Sequence, residues 1–250
     1  MILPDGFGLS IPHQNAESDQ DFYDRALGEF NPSCFYNHKR DLVYDNYFRM
    51  LWRVGWVYDQ LKSILDTPDD GKIWFLGNEP HSPSQCDESP QDFANAVKFW
   101  KQEVGRPFGV AGILWGTHGY YWWKSYLSFD PPKPDAYLVH IYAYSDTDFD
   151  QQLIQAKSIF NDKPLIITEC GGWNLRPEEQ IKIQSRVYAA IATNQIHSAF
   201  WFSARYGPYQ SYWFTTDCLT KNESVTAVGR GYKQWSSKES NTIYLPIVIG

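Results

Sequence analysis

Short apolar runs recur along the chain, separated by longer polar stretches that carry apolar residues three and four positions apart. The runs at 6–11, 33–36, 48–52, 72–76, 110–115, 136–141, 165–168 and 199–202 read as eight strands. Their near-continuous hydrophobicity fits parallel strands covered on both faces, not half-exposed antiparallel ones. Helical spacing covers 19–29, 54–66, 90–104, 148–161 and 177–194. Ser89 before Pro90, and Arg176-Pro177-Glu178-Glu179, supply start signals for two of these helices. Alternating strands and helices predict an α/β fold, and eight units favour a closed (β/α)8 TIM barrel over an open sheet. The interval between Tyr36 and Phe48 is too short for a crossover helix, so a reduced helix or loop is expected between strands two and three. A single catalytic domain over 1–250 is expected, with the barrel at 6–235. The tail at 236–250 would pack its apolar end on the barrel exterior as a strand.

Active sites of such barrels form where the strands end. The fourth strand runs through Trp74-Phe-Leu-Gly into Asn78-Glu79 and stops at Pro80; the seventh, from Pro164, runs into Glu169-Cys-Gly-Gly-Trp173. Cleaving a glycosidic bond takes two carboxyls at once, one protonated to release the leaving oxygen and one ionised to meet the anomeric carbon. Glu79 and Glu169 are placed to be that pair. Other strand exits carry Ser10, His13, Tyr36, Asn37, Trp52, Arg53, Trp115 to His118, His140, Tyr142 and Trp201. Among them there is no Gly-rich phosphate loop, metal-ligand cluster or Ser or Cys nucleophile motif, so no metal and no organic cofactor are expected. His140 and Tyr142 alternate with apolar residues and share one face. Near Glu169, either would donate a hydrogen bond that keeps the carboxylate ionised. Trp201, ending the eighth strand, is the expected floor for the reacting sugar, with Trp52, Trp115, Tyr36 and Trp173 as further platforms. The Tyr120–Trp123 cluster reads equally as an inward-packed helix or a cleft wall. Asp146, Asp148 and Asp150 alternate like calcium ligands but lack the required Gly and terminal Glu, and read as a solvated helix start.

Composition narrows the partners. The net charge of −7 argues against nucleic acid, and no apolar run reaches the roughly 18–20 residues of a membrane span. Aromatics make up 17% of the chain, with 11 Trp and 17 Tyr, enough both to fill a core and to face sugar rings. The four cysteines have no CxxC spacing, which disfavours a zinc site and leaves one or two disulfides open. The N-terminus has no signal-like segment, so the chain is either cytoplasmic or a mature form.

The Asn-Glu-Pro after strand four and the Glu ending strand seven resemble the clan of retaining β-glycosidases built on (β/α)8 barrels. A closer similarity runs through Phe35-Tyr36-Asn37, Met50-Leu51-Trp52, Leu76-Gly77-Asn78-Glu79-Pro80, Ala96-Val97-Lys98-Phe99-Trp100, Asp135 to Tyr142, Lys163 to Glu169 and Val225-Thr-Ala-Val-Gly229-Arg-Gly-Tyr. These occur in the order seen in compact "glycosyl hydrolase catalytic core" proteins, which include endo-β-1,3-glucanases, and the similarity spans about 6–235. The resemblance implies Glu79 as acid/base, Asn78 as partner of the sugar 2-hydroxyl and Glu169 as nucleophile. It implies a retaining, endo-acting β-1,3-glucanase that binds polysaccharide or oligosaccharide, works as a monomer and is secreted. Another β-linked glycan, glycosyl transfer, or a non-catalytic carbohydrate-binding barrel are the alternatives. The chain departs from the family pattern at His38, which follows Asn37, and at His81, where the family often has an acid.

Overall fold

The computed structural model describes residues 1–2, 5–10, 19–36, 44–203, 218 and 224–236. Its strands are β1 (Gly6–Ser10), β2 (Phe35–Tyr36), β3 (Tyr47–Phe48), β4 (Met50–Leu51), β5 (Trp74–Asn78), β6 (Phe108–Leu114), β7 (Ala136–Ala143), β8 (Leu165–Gly172) and β9 (Ser198–Phe202). They form one sheet in the order β3-β2-β1-β9-β8-β7-β6-β5-β4, with parallel pairing throughout. The two edge strands are neighbours in sequence, divided by Arg49 alone, whose carbonyl accepts from Phe75 N–H at 2.9 Å. Residues 47–51 thus act as one interrupted strand that brings the sheet edges together. The result is the (β/α)8 barrel.

Helices α1 (Asp19–Phe30), α2 (Trp56–Asp66), α3 (Pro90–Phe99), α4 (Thr117–Ser128), α5 (Asp146–Ile159), α6 (Pro177–Ala192) and α7 (Ala227–Ser236) connect or follow the strands. Their ends follow local chemistry. Ser89 caps α3 by accepting from Asp92 N–H at 3.1 Å, and Ser145 caps α5 by accepting from Asp148 N–H at 3.0 Å, so α5 begins two residues before the predicted start. The remaining turn predicted for α3 is a π-turn over Trp100–Val104. Helix α2 is capped from outside itself. Glu88 accepts from Val54 and Gly55 N–H at 3.1 and 2.7 Å, and Arg106 donates to the carbonyls of Ile64, Leu65 and Thr67 at the other end.

Two cores lie on the two faces of the sheet. Tyr36, Phe48, Met50, Phe75, Leu138, Ile166 and Phe200 fill the barrel, while Phe7, Leu9, Trp74, Leu76, Val139, Ile167, Ala199 and Trp201 pack outward under the helices. The strict alternation of strand side chains produces this sorting. It is broken at two bulges. In β6 the register with β7 slips between Val110 and Ile113, around Ala111 with φ +49°. In β8 it slips between Val139↔Ile167 and His140↔Glu169, leaving Thr168 as the extra residue.

The Tyr120–Trp123 cluster proves to be helical: Trp122 and Trp123 are buried in α4, while Tyr120 and Tyr121 face out. Cys34, Cys86, Cys170 and Cys218 are all buried, and none of them is joined in a disulfide. His13, Asn37, most of the connection expected to hold a reduced helix, and the tail at 237–250 lie outside the described residues. No helix among the described residues is long and apolar enough to cross a membrane.

Candidate active site

The bulge in β8 decides where Glu169 points. Ile166 faces the barrel interior, so unbroken alternation would turn a residue three positions on toward the helices. The extra residue at Thr168 re-aims Glu169 inward. There its carboxylate is almost completely buried. Tyr142 O–H donates to Oε2 at 2.8 Å and Tyr36 O–H donates to Oε1 at 3.3 Å. Burial, and then the Glu169 charge, push both phenol pKa values well up, so both remain proton-bearing donors.

Glu79 emerges one residue beyond β5. Gly77 and Glu79 both hold positive φ, +81° and +46°, and a Cβ on Gly77 would run into the Phe93 ring. Glu79 N–H donates to Gly112 O at 2.7 Å, fixing this turn to the β6 bulge. For a non-glycine residue the left-handed backbone is strained, and such strain collects at functional sites.

His140 joins the two acids. It is fully buried in β7, with Nδ1 3.0 Å from Glu79 Oε1 and 3.5 Å from Glu169 Oε2. Nε2 has no hydrogen-bond partner within the protein and packs toward Gly112, where a Cβ would lie 2.6 Å from it. A proton therefore finds acceptors only on the Nδ1 side. Burial lowers the imidazole pKa, but the Glu169 and Glu79 carboxylates outweigh it and leave it raised. One ligand atom from each of Glu79, His140 and Glu169 lies within 4.8 Å of the other two. Such a trio could hold a cation, but the nitrogen that would bind it is already engaged with both carboxylates.

Asn78 is buried at the end of β5. Its Nδ2 donates to Gln85 Oε1 at 3.3 Å, and its Oδ1 has no partner within the protein. Beside it, Cys86 Sγ donates to Trp52 O and accepts from Asn78 N–H, tying the β4 and β5 exits together.

The aromatic expectations divide. Trp173 is half-buried next to Tyr142, with ring centroids 5.1 Å apart, and Trp52 is half-buried against the barrel-interior core. Both keep exposed surface at the barrel mouth. Trp201 is a correction: it is fully buried in the outer core against Phe7, at 6.3 Å, and has no face to offer a sugar. Trp115 is another, packed on Phe160 at 5.9 Å with its indole N–H directed to Gln155 on α5. Tyr36, expected as a platform, is fully buried and serves as a donor to Glu169 instead. Sequence reasoning missed Phe202, whose ring lies 6.1 Å from Tyr142. Strand phase could have found it, because Phe202 shares a face with inward Phe200 while Trp201 does not.

A cavity of about 1310 Å³ opens at the opposite end of the barrel, among residues such as Asp5, Ser33, Pro164 and His197 that precede their strands. It lies away from the carboxylates, at the end that governs stability in this architecture, not catalysis.

A parallel barrel whose C-terminal rim gathers one buried and one half-buried carboxyl, a bridging imidazole and flanking aromatics has the build of a glycoside hydrolase. The profile of the glycosyl hydrolase catalytic core family matches residues 29–232, and the chain belongs to that family. No curated protein is a significant sequence match to the chain. Among solved structures it is similar to a GH128 (subgroup II) endo-β-1,3-glucanase from Sorangium cellulosum, with 16% identity, TM-score 0.72, and 92% of this chain and 98% of that one covered. It is likewise similar to a GH128 (subgroup I) endo-β-1,3-glucanase from Amycolatopsis mediterranei in complex with laminaritriose, with 18% identity, TM-score 0.72, and 92% and 98% covered. A third is a GH128 (subgroup III) curdlan-specific exo-β-1,3-glucanase from Blastomyces gilchristii in complex with glucose, with 21% identity, TM-score 0.67, and 91% and 97% covered. At these identities the likeness establishes a shared fold.

Proposed function

We propose that the chain hydrolyses β-1,3-glucan by a retaining double displacement, with Glu169 as nucleophile and Glu79 as acid/base. The observation that carries this reading is the approach of the two carboxylates, with ligand atoms within 4.8 Å. Retaining enzymes hold their carboxyls about 5–5.5 Å apart, whereas inverting ones leave about 6.5–9.5 Å for a water. The surroundings support the division of labour. Glu169 accepts from two tyrosine hydroxyls that stabilise its charge, as a nucleophile requires, while Glu79 accepts from neither and sits nearer solvent, where a leaving group can reach it.

In the first step a Glu169 oxygen bonds to the anomeric carbon as Glu79 gives its proton to the glycosidic oxygen, and the bond to the departing sugar breaks. In the second, the Glu79 carboxylate takes a proton from water, the water oxygen bonds to the same carbon, and the ester to Glu169 breaks. Asn78, the residue directly before Glu79 at the end of β5, is the partner for the 2-hydroxyl of the reacting sugar. Trp173 and Trp52, which keep exposed surface, line its approach. Support for the linkage comes from the β-1,3-glucanases that share the fold, two of which are endo-acting. The chain cleaves internally, on oligo- or polysaccharide.

A reducing-sugar assay on laminarin, beside xylan, cellulose and mannan, tests the reading. Activity on laminarin that disappears in Glu169→Gln is expected. Full activity in Glu169→Gln would refute the mechanism, and preference for another glycan would refute the linkage. Endo action predicts a ladder of oligosaccharides early in the digest, and glucose alone would show exo action.

A further inference from the structure

Among the described residues five aromatic rings are exposed, and four of them stand on helices: Trp56 and Tyr58 on α2, Tyr120 and Tyr121 on α4. The fifth, Tyr144, is the most open at 72% exposure and directly follows β7, at the end of the barrel that holds both acids. A lone exposed ring is common on a protein surface. The place of this one, and the way its backbone is held, set it apart.

Strand phase sets the place. His140 and Tyr142 point into the barrel, where they meet Glu79 and Glu169. Tyr144 is next in that series, and Ser145 after it keeps an extended backbone, with φ −165° and ψ 171°. Two residues of strand advance about 6.6 Å, so Tyr144 emerges on the rim just beyond Tyr142. The register sets Ala143 beside Gly172, and Trp173 N–H donates to Ala143 O at 2.9 Å. Tyr144 and Trp173 are thus the next residues on adjacent strand exits, and the Trp173 ring lies 5.1 Å from that of Tyr142. Exposure rises outward, from buried Tyr142 on Glu169 through half-buried Trp173 to open Tyr144. The backbone beneath is tied down. Asp148 Oδ2 accepts from Tyr144 N–H at 2.8 Å, while Asp148 N–H donates to the Ser145 cap. Gln152 Nε2 donates to Asp148 Oδ2 at 3.0 Å and to Tyr142 O at 3.1 Å. A tyrosine on a fixed backbone has two side-chain torsions left to order, and it offers a broad amphipathic face at small entropic cost.

We propose that Tyr144 is a specificity-determining platform outside the reacting subsite: its ring stacks on a further glucose unit of the bound chain and makes the enzyme favour longer β-1,3-glucans. This rests on the reading that Glu79 and Glu169 cleave that glucan. The occupant is a sugar because the rim is continuous with the cleft, and a chain that leaves the acids over Trp173 meets Tyr144 next. Stacking on the open ring face is a contact made by the bound chain before and after the bond breaks, so it acts on affinity and not on the chemical step.

The test compares wild type with Tyr144→Ala and Tyr144→Phe on laminaritetraose and laminarihexaose. In Tyr144→Ala, the ratio of kcat/KM on the hexaose to that on the tetraose should fall about tenfold, the effect of uncovering one ring face. The loss on the hexaose should lie in KM and not in kcat. Tyr144→Phe keeps the ring without the hydroxyl and should hold the ratio within about threefold of wild type. A ratio unchanged in Tyr144→Ala, or a loss in Tyr144→Phe as large as in Tyr144→Ala, overturns the proposal. Should thermal melting show that Tyr144→Ala does not fold, Tyr144→Asn, polar and without a ring, takes its place in the comparison. Wild type inactive on both oligosaccharides, or Glu169→Gln as active as wild type on the hexaose, would instead sink the reading beneath it.

Discussion

Glu79 and Glu169 carry the same carboxyl group, and their different roles come from what surrounds each. Glu169 is buried and accepts from Tyr142 at 2.8 Å and Tyr36 at 3.3 Å. Hydrogen bonds to a charged group are worth about 1.5–3 kcal/mol, so Tyr142→Phe should lower kcat/KM about 10- to 100-fold. Tyr36→Phe, removing the longer bond, should cost less, and steady-state kinetics on laminari-oligosaccharides will rank the two. His140 gives a dependence on pH with a defined sign. Its folded pKa is raised above the ordinary histidine value of 6.5, so the folded chain holds that proton more tightly than the unfolded one. The stabilisation is fully present below about pH 6.5 and is lost as pH rises through the raised value. The melting-temperature advantage of wild type over His140→Gln should therefore shrink as pH rises above about 6.5, as differential scanning fluorimetry can measure.

At the scale of elements, two bulges build the site, and both are invisible in the apolar pattern. Leu165-Ile-Ile-Thr-Glu-Cys is too uniformly apolar to betray its phase, so the sequence marks Glu169 as a strand-end acid without showing which way it faces. Alternation is readable where polar residues punctuate a strand, and Val139-His-Ile-Tyr places His140 and Tyr142 on one face, as the structure does. The same rule would have rejected Trp201, which lies between inward Phe200 and Phe202. A tryptophan at a strand end is a weak sign of a platform, because burial in the outer core satisfies it equally well. The bulge in β6 carries a prediction of its own. A Cβ on Gly112 would lie 2.6 Å from His140 Nε2 and 3.0 Å from Thr168 Oγ1. Gly112→Ala should displace His140 and lower kcat at least about tenfold, with stability falling by about 1–3 kcal/mol from overpacking. In β5, Gly77→Ala combines a positive φ with a collision against Phe93 and should destabilise by at least about 2 kcal/mol in urea unfolding.

Across the whole molecule, the eight apolar runs were enough to predict the barrel, since each parallel strand is buried on both faces and must read as continuously apolar. The closing strand at 47–51 was legible as a run though not as two short pieces around Arg49. The acids were legible because a polar residue ending such a run has few structural uses. The cleft was not. Which aromatics face the sugar depends on phase and on helix packing, and of the large rings expected there only Trp52 and Trp173 keep surface at the barrel mouth. The central claim concerns the reaction that the two acids perform together, and the stereochemistry of the product tests it most directly. Proton NMR of laminarihexaose hydrolysis, followed from the first turnover, reports which anomer is released before mutarotation. The account predicts the β-anomer first, and initial release of the α-anomer would contradict it.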